Sequence, residues 1–359
     1  MFFYYIYHMR KKYTIKDIAE LAGVSKGTVD RVIHKRGKVS EKALIDVTRI
    51  LEEIDYKPNL IARNLKNNKV YSICVLIPDY HLDDYWLSCK EGIESVKQEF
   101  ASFDIQIKTL LYHSKDVNSF LQKSNEVLAL KPDAVLMVPS FQKESETIIN
   151  LLANQDIVVS IFNNNIPNNK IFNFVGQDLI KSGRIAAKLF DLILGNGKVA
   201  ILYIGANFKN ATYFHEKDQG FKEYIKQTDT ALSSVTQTFS SENLELELTN
   251  FLSQNPDVKG IFVTNSKTYM VAKLIKKHNL KDIKLIGYDL LEENITYLKN
   301  NTIQFLIHQN AKHQIHLGLT NLIEYFMFSK KTPKRNLLPI NIINSENLSS
   351  YTQKETIYE

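Results

Sequence analysis

Seven short apolar runs, and an eighth segment of strand character, alternate with helix-length stretches and constrain the fold more than any other feature. They span residues 71–78, 104–111, 133–139, 156–162, 198–205, about 231–239, 258–265 and 283–289. Continuous apolar runs indicate parallel strands that are buried on both faces, with helices connecting them. We therefore predict an α/β body of two doubly wound parallel-sheet lobes. Ligands of such sheets bind beyond the carboxyl ends of the strands, so the cleft between the lobes is the expected site.

The stretch from Thr14 to Arg36, TIKDIAELAGVSKGTVDRVIHKR, has the pattern of a helix-turn-helix. Thr14 can cap a first helix, Gly23 can form a tight turn, and Ser25 can cap a second helix. The outward side of the second helix would carry Lys26, Gly27, Asp30, Arg31 and Lys35. In a helix-turn-helix, the N-terminal residues of this helix meet base edges in the DNA major groove. The alternative is an ordinary helical hairpin with a solvated basic face.

This stretch resembles the DNA-binding head of the LacI/GalR family of bacterial repressors, whose hallmark is a T-I-x-D-I-A-x-x-A-G-V-S-x-x-T-V run. Every fixed position of that run is present between Thr14 and Val29. The resemblance implies that the head binds double-stranded operator DNA through Thr14, Ser25, Lys26, Gly27, Thr28, Asp30, Arg31 and Lys35. Asp30 stands where the family commonly has serine, and a carboxylate there could accept a hydrogen bond from a cytosine amino group.

A third helix and a short hinge are predicted to follow. Leu44, Val47, Ile50, Leu51 and Ile54 keep one apolar face, which would close a three-helix head. Residues 59–66 have helical character but are too few to hold a helix alone in water.

The family's matching segment is a hinge helix that orders on operator DNA and pairs with its twin in a dimer. By that resemblance Leu65 is a minor-groove wedge, Ala62 permits close approach, and Asn59 and Arg63 contact the DNA backbone or groove. A simple linker is the alternative.

The charge of the chain is concentrated in its first 68 residues. They hold 14 Lys and Arg against 8 Asp and Glu, whereas the remainder holds 31 of each sign. The excess predicts a polyanionic partner at that end. Only Cys74 and Cys89 are present and they form no CxxC pair, so neither a disulfide framework nor a zinc site is expected, which suits a reducing cytoplasm. The initial run MFFYYIYHM is too short to span a bilayer, and we expect translation to begin at Met9.

The body resembles the periplasmic sugar-binding fold that LacI/GalR repressors carry, from about residue 70 to the segment LPINIINSENL. Phe174 to Asp178 and then Ser182-Gly183 match the family's crossing segment between the lobes. By the resemblance, polar and aromatic residues that follow successive strands would bind the effector. These are Asp79, Tyr85, Trp86, Ser140, Asn163, Asn164, Lys217, Asn265, Asp289 and Gln309.

The chemistry of that set suits a polyol, because aromatic faces cover a sugar ring while carboxylates and amides bind its hydroxyls. Individually, Asp and Asn after a strand can be turn formers, and Trp86 can be core. Lys217 occupies a position where the family usually has arginine, and it lacks the bidentate fork. We therefore expect the effector to be a sugar or a sugar derivative, and a modified or acidic compound is the alternative to a simple hexose.

The predicted protein is a ligand-responsive DNA-binding regulator in the cytoplasm, a homodimer with a tetramer as the alternative assembly, and it has no membrane partner, cofactor or catalytic residue. A cytoplasmic carbohydrate-binding module and a carbohydrate-active enzyme are the alternatives. His308, His313 and His316 lack a carboxylate or cysteine at ligand spacing, so no metal site is expected. The predicted domains are a head at 13–58, a hinge at 59–68 and a body at 70–346. Within the body, one lobe would comprise 70–174 and 291–322, and the other 175–290 and 323–346.

Overall fold

The computed structural model describes residues 13–33, 36–54, 56, 69–205 and 212–352. The chain divides into two units, Met1–Asn67 and Asn68–Glu359. The predicted hinge residues Asn59, Ala62, Arg63 and Leu65, together with Lys35 and the first twelve residues, lie outside the described residues.

The described part of the first unit contains three helices: α1 (Ile15–Leu21), α2 (Lys26–Ile33) and α3 (Glu41–Glu53). The Thr14 side chain accepts a hydrogen bond from the backbone N–H of Asp17, and the Asp17 carboxylate accepts one from the Thr14 N–H, which forms a capping box. Gly23 adopts φ +62° in the turn between α1 and α2, a conformation that favours glycine.

A small core joins the three helices, formed by Ile18, Ala19, Val29, Val47 and Ile50. The prediction that Leu44 belongs to this core is wrong, because its side chain is 47% exposed. It lies in the first turn of α3, one helical turn before Val47, the first residue of α3 in the buried core.

The second unit consists of two sheets with helices on both faces. The first sheet contains β1 (Tyr71–Pro78), β2 (Ile105–Tyr112), β3 (Ala134–Met137), β4 (Val158–Phe162), β5 (Asn173–Gly176) and β11 (Arg335–Leu337). The second contains β6 (Asn196–Ile204), β7 (Ala231–Phe239), β8 (Val258–Val263), β9 (Lys284–Tyr288), β10 (Phe305–His308) and β12 (Asn341–Ile343).

Helices separate these strands along the chain. They are α4 (Leu87–Glu99), α5 (Val117–Leu130), α6 (Gln142–Ala153), α7 (Leu179–Leu194), α8 (Thr212–Gln227), α9 (Leu244–Gln254), α10 (Thr268–Lys277), α11 (Glu292–Lys299), α12 (Ala311–Phe328) and α13 (Ser349–Thr352). A 3₁₀ turn, Asp84–Trp86, precedes α4.

The strand orders are β11-β5-β4-β3-β1-β2 and β12-β10-β9-β8-β6-β7. Among the described strands, neighbours pair in parallel except β10 and β12. Each sheet has an apolar cluster on both faces. The predicted fold, a helical head followed by two doubly wound parallel-sheet lobes, is confirmed.

The lobe limits near the end of the chain need correction. Residues 291–322 were predicted to lie in the first lobe, but β10 pairs with β9 in the second sheet, and Leu298 of α11 packs in the same lobe. The chain crosses back only at α12, which packs on the first sheet. The prediction that residues 323–346 lie in the second lobe is right for β12, which pairs with β10, but wrong for β11, which pairs with β5 in the first. Only four residues form β10 and three form β11, too few for an apolar run to identify them.

Candidate functional site

A cavity of about 200 Å³ lies between the carboxyl ends of the two sheets. Residues that follow β1, β2, β3 and β4 line it from the first lobe, and residues that follow β6, β8, β9 and β10 line it from the second. The site therefore lies where parallel sheets commonly bind ligands.

Nine of the ten predicted effector residues line this cavity: Tyr85, Trp86, Ser140, Asn163, Asn164, Lys217, Asn265, Asp289 and Gln309. The exception is Asp79, a described residue that is absent from the lining. Its carboxylate accepts a hydrogen bond of 2.9 Å from the His81 N–H and so closes the turn after β1. For Asp79 the structure supports turn formation rather than the predicted role in the site.

Lys217 lies in the buried floor of the cavity. Its Nζ donates to the Thr264 carbonyl at 2.8 Å and to Gln309 Oε1 at 3.4 Å, and it lies over the Tyr288 ring. Burial lowers the pKa of Lys217 to about 8, although Asp289 opposes this effect. The lysine therefore presents a donor whose protonation changes near neutral to mildly alkaline pH.

Asp289 connects two neighbouring strands of the second lobe. Its Oδ1 accepts from the Gln309 N–H at 2.9 Å, and its Oδ2 accepts from Gln309 Nε2 at 2.8 Å. Its backbone has φ +66°, which an Asp tolerates better than most residues. The carboxylate thus fixes the position and rotamer of Gln309 as well as lining the cavity.

The wall from the first lobe is aromatic and amide-rich. Asn163 Nδ2 donates to the Tyr85 hydroxyl at 2.5 Å, and burial raises the pKa of Tyr85 well above its ordinary value. Trp86 is only 7% exposed and packs edge-on against Tyr85 and Phe162. Trp86 therefore supports the position of Tyr85 as part of the core while its remaining exposed edge lines the cavity.

Two other predicted residues are held by local bonds. Asn265 donates from Nδ2 to the Ile204 carbonyl at 2.9 Å, and its Oδ1 accepts from the Lys267 N–H at 3.2 Å. The Ser140 hydroxyl lies 2.6 Å from the hydroxyl of Tyr112. These bonds fix the loops after β8 and β3 at the cavity.

Sequence analysis did not identify several residues that line the cavity, among them Asp83, Ser114, Lys115, Phe141, Thr264, Ser266 and Lys267. Each lies in a loop that follows a strand, so the carboxyl-end rule could have flagged them. Burial raises the pKa of Asp83 and lowers that of Lys267. The cavity is therefore lined by more ionisable side chains than the sequence pattern predicted.

A close contact between α7 and α8 places Lys217. A Cβ atom on Gly183 would lie 1.9 Å from the Lys217 carbonyl oxygen, and a Cβ on Gly220 would lie 1.9 Å from that of Ile180. Real Cβ atoms do not approach backbone so closely, so the two glycines permit helices that larger residues would separate. The Lys217 side chain depends on this approach to reach the floor.

The head presents an exposed surface at the start of α2. Lys26 and Gly27 are exposed there, Asp30 is partly exposed, and Arg31 is exposed in the last turn of the helix. The Ser25 Oγ accepts from the Thr28 N–H at 3.1 Å, and the two hydroxyls lie 3.0 Å apart. Ser25 therefore caps α2, while the side chains of Lys26 and Arg31 face solvent; their contacts with DNA stay a prediction.

Each of the three histidines has a different neighbouring residue. His308 Nδ1 lies 3.8 Å from Asp289 Oδ1, His316 Nε2 lies 3.0 Å from Glu99 Oε2, and the His313 N–H donates to Asn310. Within the described ranges, no group of three or more His, Cys, Asp or Glu side chains could hold a metal ion. Over those same ranges, no helix combines the length and the apolar character needed to cross a membrane.

Comparison with known proteins gives two family matches. Residues 14–59 match the model described as bacterial regulatory proteins, lacI family, and residues 73–330 match the model described as periplasmic binding protein domain. The chain is 25% identical over 305 residues to the HTH-type transcriptional regulator MalR of Streptococcus pneumoniae, which covers 81% of this chain and 88% of that protein. It is 25% identical over 342 residues to the sucrose operon repressor of Streptococcus mutans, which covers 93% and 99%.

Solved structures share the fold of the body. A putative LacI transcriptional regulator from Bacteroides fragilis has a TM-score of 0.74 and 27% identity over 79% of this chain and all of its own. GanP, a glucose-galactose binding protein from Geobacillus stearothermophilus, has a TM-score of 0.68 and 21% identity over 78% of this chain and 99% of its own. The second likeness shows the fold alone.

A two-lobed ligand-binding body joined to a helix-turn-helix head defines a ligand-responsive DNA-binding regulator. The chain belongs to the lacI family of bacterial regulatory proteins, with a body of the periplasmic binding protein type. Members of this family regulate transcription, and this protein is a DNA-binding transcriptional regulator.

Proposed function

We propose that this protein represses transcription from an operator and that a sugar or sugar derivative in the interlobe cavity controls its operator affinity. The single observation that carries the proposal is the convergence of nine predicted residues on one cavity in a chain with a DNA-binding head. The names of relatives support the effector class, since they include repressors of sucrose and ribose operons.

The proposed effector contacts are the nine cavity residues without Asp79. The proposed DNA contacts are those of the head and hinge that the sequence predicts, including Leu65 as the wedge. Two heads of a homodimer would meet successive major-groove half-sites about 10 bp apart, with residues 59–68 of both copies between them. We propose that the dimer works in the cytoplasm and catalyses no reaction.

Coupling between the two sites follows from closure of the cleft. An effector that contacts both lobes favours one arrangement of them, and the arrangement of the lobes would alter the free energy of forming the hinge helices. Because such coupling is reciprocal, operator DNA must change effector affinity by the same factor, typically about 5- to 150-fold.

Footprinting of the full-length protein on genomic DNA, at two salt concentrations and with a panel of sugars, tests this proposal. We expect a protected near-palindrome, a steep loss of affinity with salt, and a change in protection with at least one sugar. Lys26→Ala should weaken protection, whereas Lys90→Ala, an exposed lysine on α4 of the body, should leave it unchanged.

Flat salt dependence without a protected site would instead favour a carbohydrate-binding module. Conversion of any sugar to a product by the purified protein would favour an enzyme. Either result would overturn the proposed function.

A further inference from the structure

Two lysines reach the same end of the cavity from opposite lobes. Lys115 lies in the loop after β2 of the first lobe, and Lys267 lies in the loop after β8 of the second. Both line the cavity, and neither belongs to the polar set predicted from the sequence. Their common location brings two cationic groups to one side of a pocket whose other residues are mainly amides, hydroxyls and aromatic rings.

Lys267 is fixed in this position. Its Nζ donates to the Ser241 hydroxyl at 3.1 Å, and a Cβ atom on Gly205 would lie 2.7 Å from it. Gly205 has φ +66°, which favours glycine, and its lack of a Cβ atom leaves room for the ammonium. Burial lowers the pKa of Lys267, and the charge of Lys115 lowers it further. The two ammonium groups are therefore close enough to repel each other.

The negative charges around the pair offset it only in part. Glu242 of the second lobe lies 3.8 Å from Lys115 Nζ, but both side chains are about half exposed or more, and such pairs contribute little. The carboxylate of Asp83 accepts a hydrogen bond from the Tyr85 N–H and favours the charged form of Lys267, although burial disfavours the charged form of Asp83 itself. Among the described lining residues, three lysines stand against two aspartates. With a neutral sugar, Lys115 and Lys267 would have only Asp83 and the exposed Glu242 as acidic neighbours among the described residues.

We infer that the effector is a sugar that carries an anionic group, a phosphate or a carboxylate, held between Lys115 and Lys267. The inference rests on the proposed function of the cavity as the effector site. Asn163, Lys217 and Gln309 would then contact the hydroxyls at the other end. Because the two lysines belong to different lobes, the anion attracts both lobes and favours the closed cleft.

Isothermal titration of the full-length protein with matched ligands tests the inference. One series compares glucose, glucose 6-phosphate and gluconate, and the second compares ribose, ribose 5-phosphate and ribonate. In at least one series, an anionic member should bind at least about tenfold more tightly than its neutral parent, since charge-assisted hydrogen bonds are strong. Comparison of the phosphate with the carboxylate identifies which anion the site prefers.

Two variants with opposite expected effects separate binding from folding. Lys267→Gln should lower affinity for the preferred anionic sugar by about tenfold and leave that for its neutral parent nearly unchanged. Glu242→Gln removes the carboxylate beside Lys115 and should raise affinity for the anionic sugar by about two- to fivefold. Lys273→Gln, an exposed lysine on α10 outside the lining, is the matched control and should change neither affinity.

If the neutral parent sugar binds as tightly as its anionic derivatives in both series, this inference is overturned and the proposed function stands. If Lys267→Gln lowers the affinity for the neutral and the anionic sugar equally, the inference is likewise overturned and the proposed function stands, because the lysine then does not distinguish an anionic ligand from a neutral one. If no member of either series binds while a neutral sugar of the footprinting panel changes operator protection, this inference is overturned and the proposed function stands.

Discussion

The Nζ atom of Lys217 lies 3.5 Å from the centroid of the Tyr288 ring. The Tyr288 hydroxyl lies 2.6 Å from that of Ser182 on α7, the helix that approaches α8 through Gly183. A ring face attracts an ammonium group, which partly offsets the loss of water around it. The cationic floor of the cavity therefore depends on the joint placement of α7, α8 and β9.

Lys217→Met should change how the stability of the protein depends on pH. Burial lowers the pKa of Lys217 from 10.5 to about 8, so between these values the folded protein has a neutral amine while the unfolded chain is protonated. The unfolded state then binds more protons than the folded state. The free energy of unfolding of the wild type therefore increases as the pH rises. Relative to Lys217→Met it should rise by up to roughly 3 kcal/mol between about pH 8 and 10.5.

Urea unfolding at a series of pH values measures this difference. Lys273→Met, a change at an exposed lysine, should give a curve parallel to that of the wild type. Parallel curves for the wild type and Lys217→Met would contradict a shifted pKa at Lys217.

Gly220→Ala should destabilise the body and weaken effector binding. The new methyl group would lie 1.9 Å from the Ile180 carbonyl oxygen, so α8 must move away from α7 and carry Lys217 with it. Overpacking of this kind costs about 1–3 kcal/mol. Thermal unfolding and titration with the sugar that binds most tightly measure the two effects.

Gly27→Ala is a matched control for stability, because the same added methyl group on α2 would have its nearest neighbour at 3.7 Å. It should be neutral or stabilise the head by up to about 1 kcal/mol. A Gly220→Ala protein as stable as the wild type would show that the helices separate without consequence.

The position of the cavity follows from sequence because strand ends are easy to place. A polar residue after a buried parallel strand falls at the carboxyl edge, and Asn163, Asp289 and Gln309 all meet there. The same rule fails for Asp79, because the rule places a residue and does not orient its side chain. The Asp79 carboxylate turns to the His81 N–H two residues on, a choice made by local backbone geometry.

Features that arise from contacts between distant segments were harder to predict. Lys115 and Lys267 each resemble ordinary surface lysines, and only the pairing of two lobes places them in one cavity. Similarly, β10 has four residues, and its partner β9 rather than its own pattern assigns it to the second sheet. Sequence periodicity carries no information on either relationship.

Asp289→Ala should lower stability and the response to effector together. The change leaves the backbone N–H and the side-chain amide of Gln309 without their acceptor, and hydrogen bonds to a charged group contribute about 1.5–3 kcal/mol. Chemical unfolding should show a loss of that size. DNA binding by the unliganded protein should persist.

A double-mutant cycle with Gln309→Ala tests the cause. The two losses should not add, since each change removes the same side-chain bond. Additive losses would mean that Asp289 acts on stability through other neighbours. Asp84→Ala, at an exposed carboxylate, is the control and should cost little.

Arg31→Ala should lower the discrimination between operator and random DNA. Arg31 is exposed on the last turn of α2, on a helix capped by Ser25 and anchored by the buried Val29. A bidentate contact of an arginine with a guanine contributes about 1–3 kcal/mol of discrimination, so the ratio of the two affinities should fall by about 5- to 150-fold. Competition binding at fixed salt, with the operator defined by footprinting, measures this ratio.

Arg49→Ala on α3, where the side chain pairs with Glu53, is the matched control and should preserve the ratio. If Arg31→Ala weakens binding to both DNAs equally, the arginine contacts a phosphate, and the base-specific contact must come from another residue of α2.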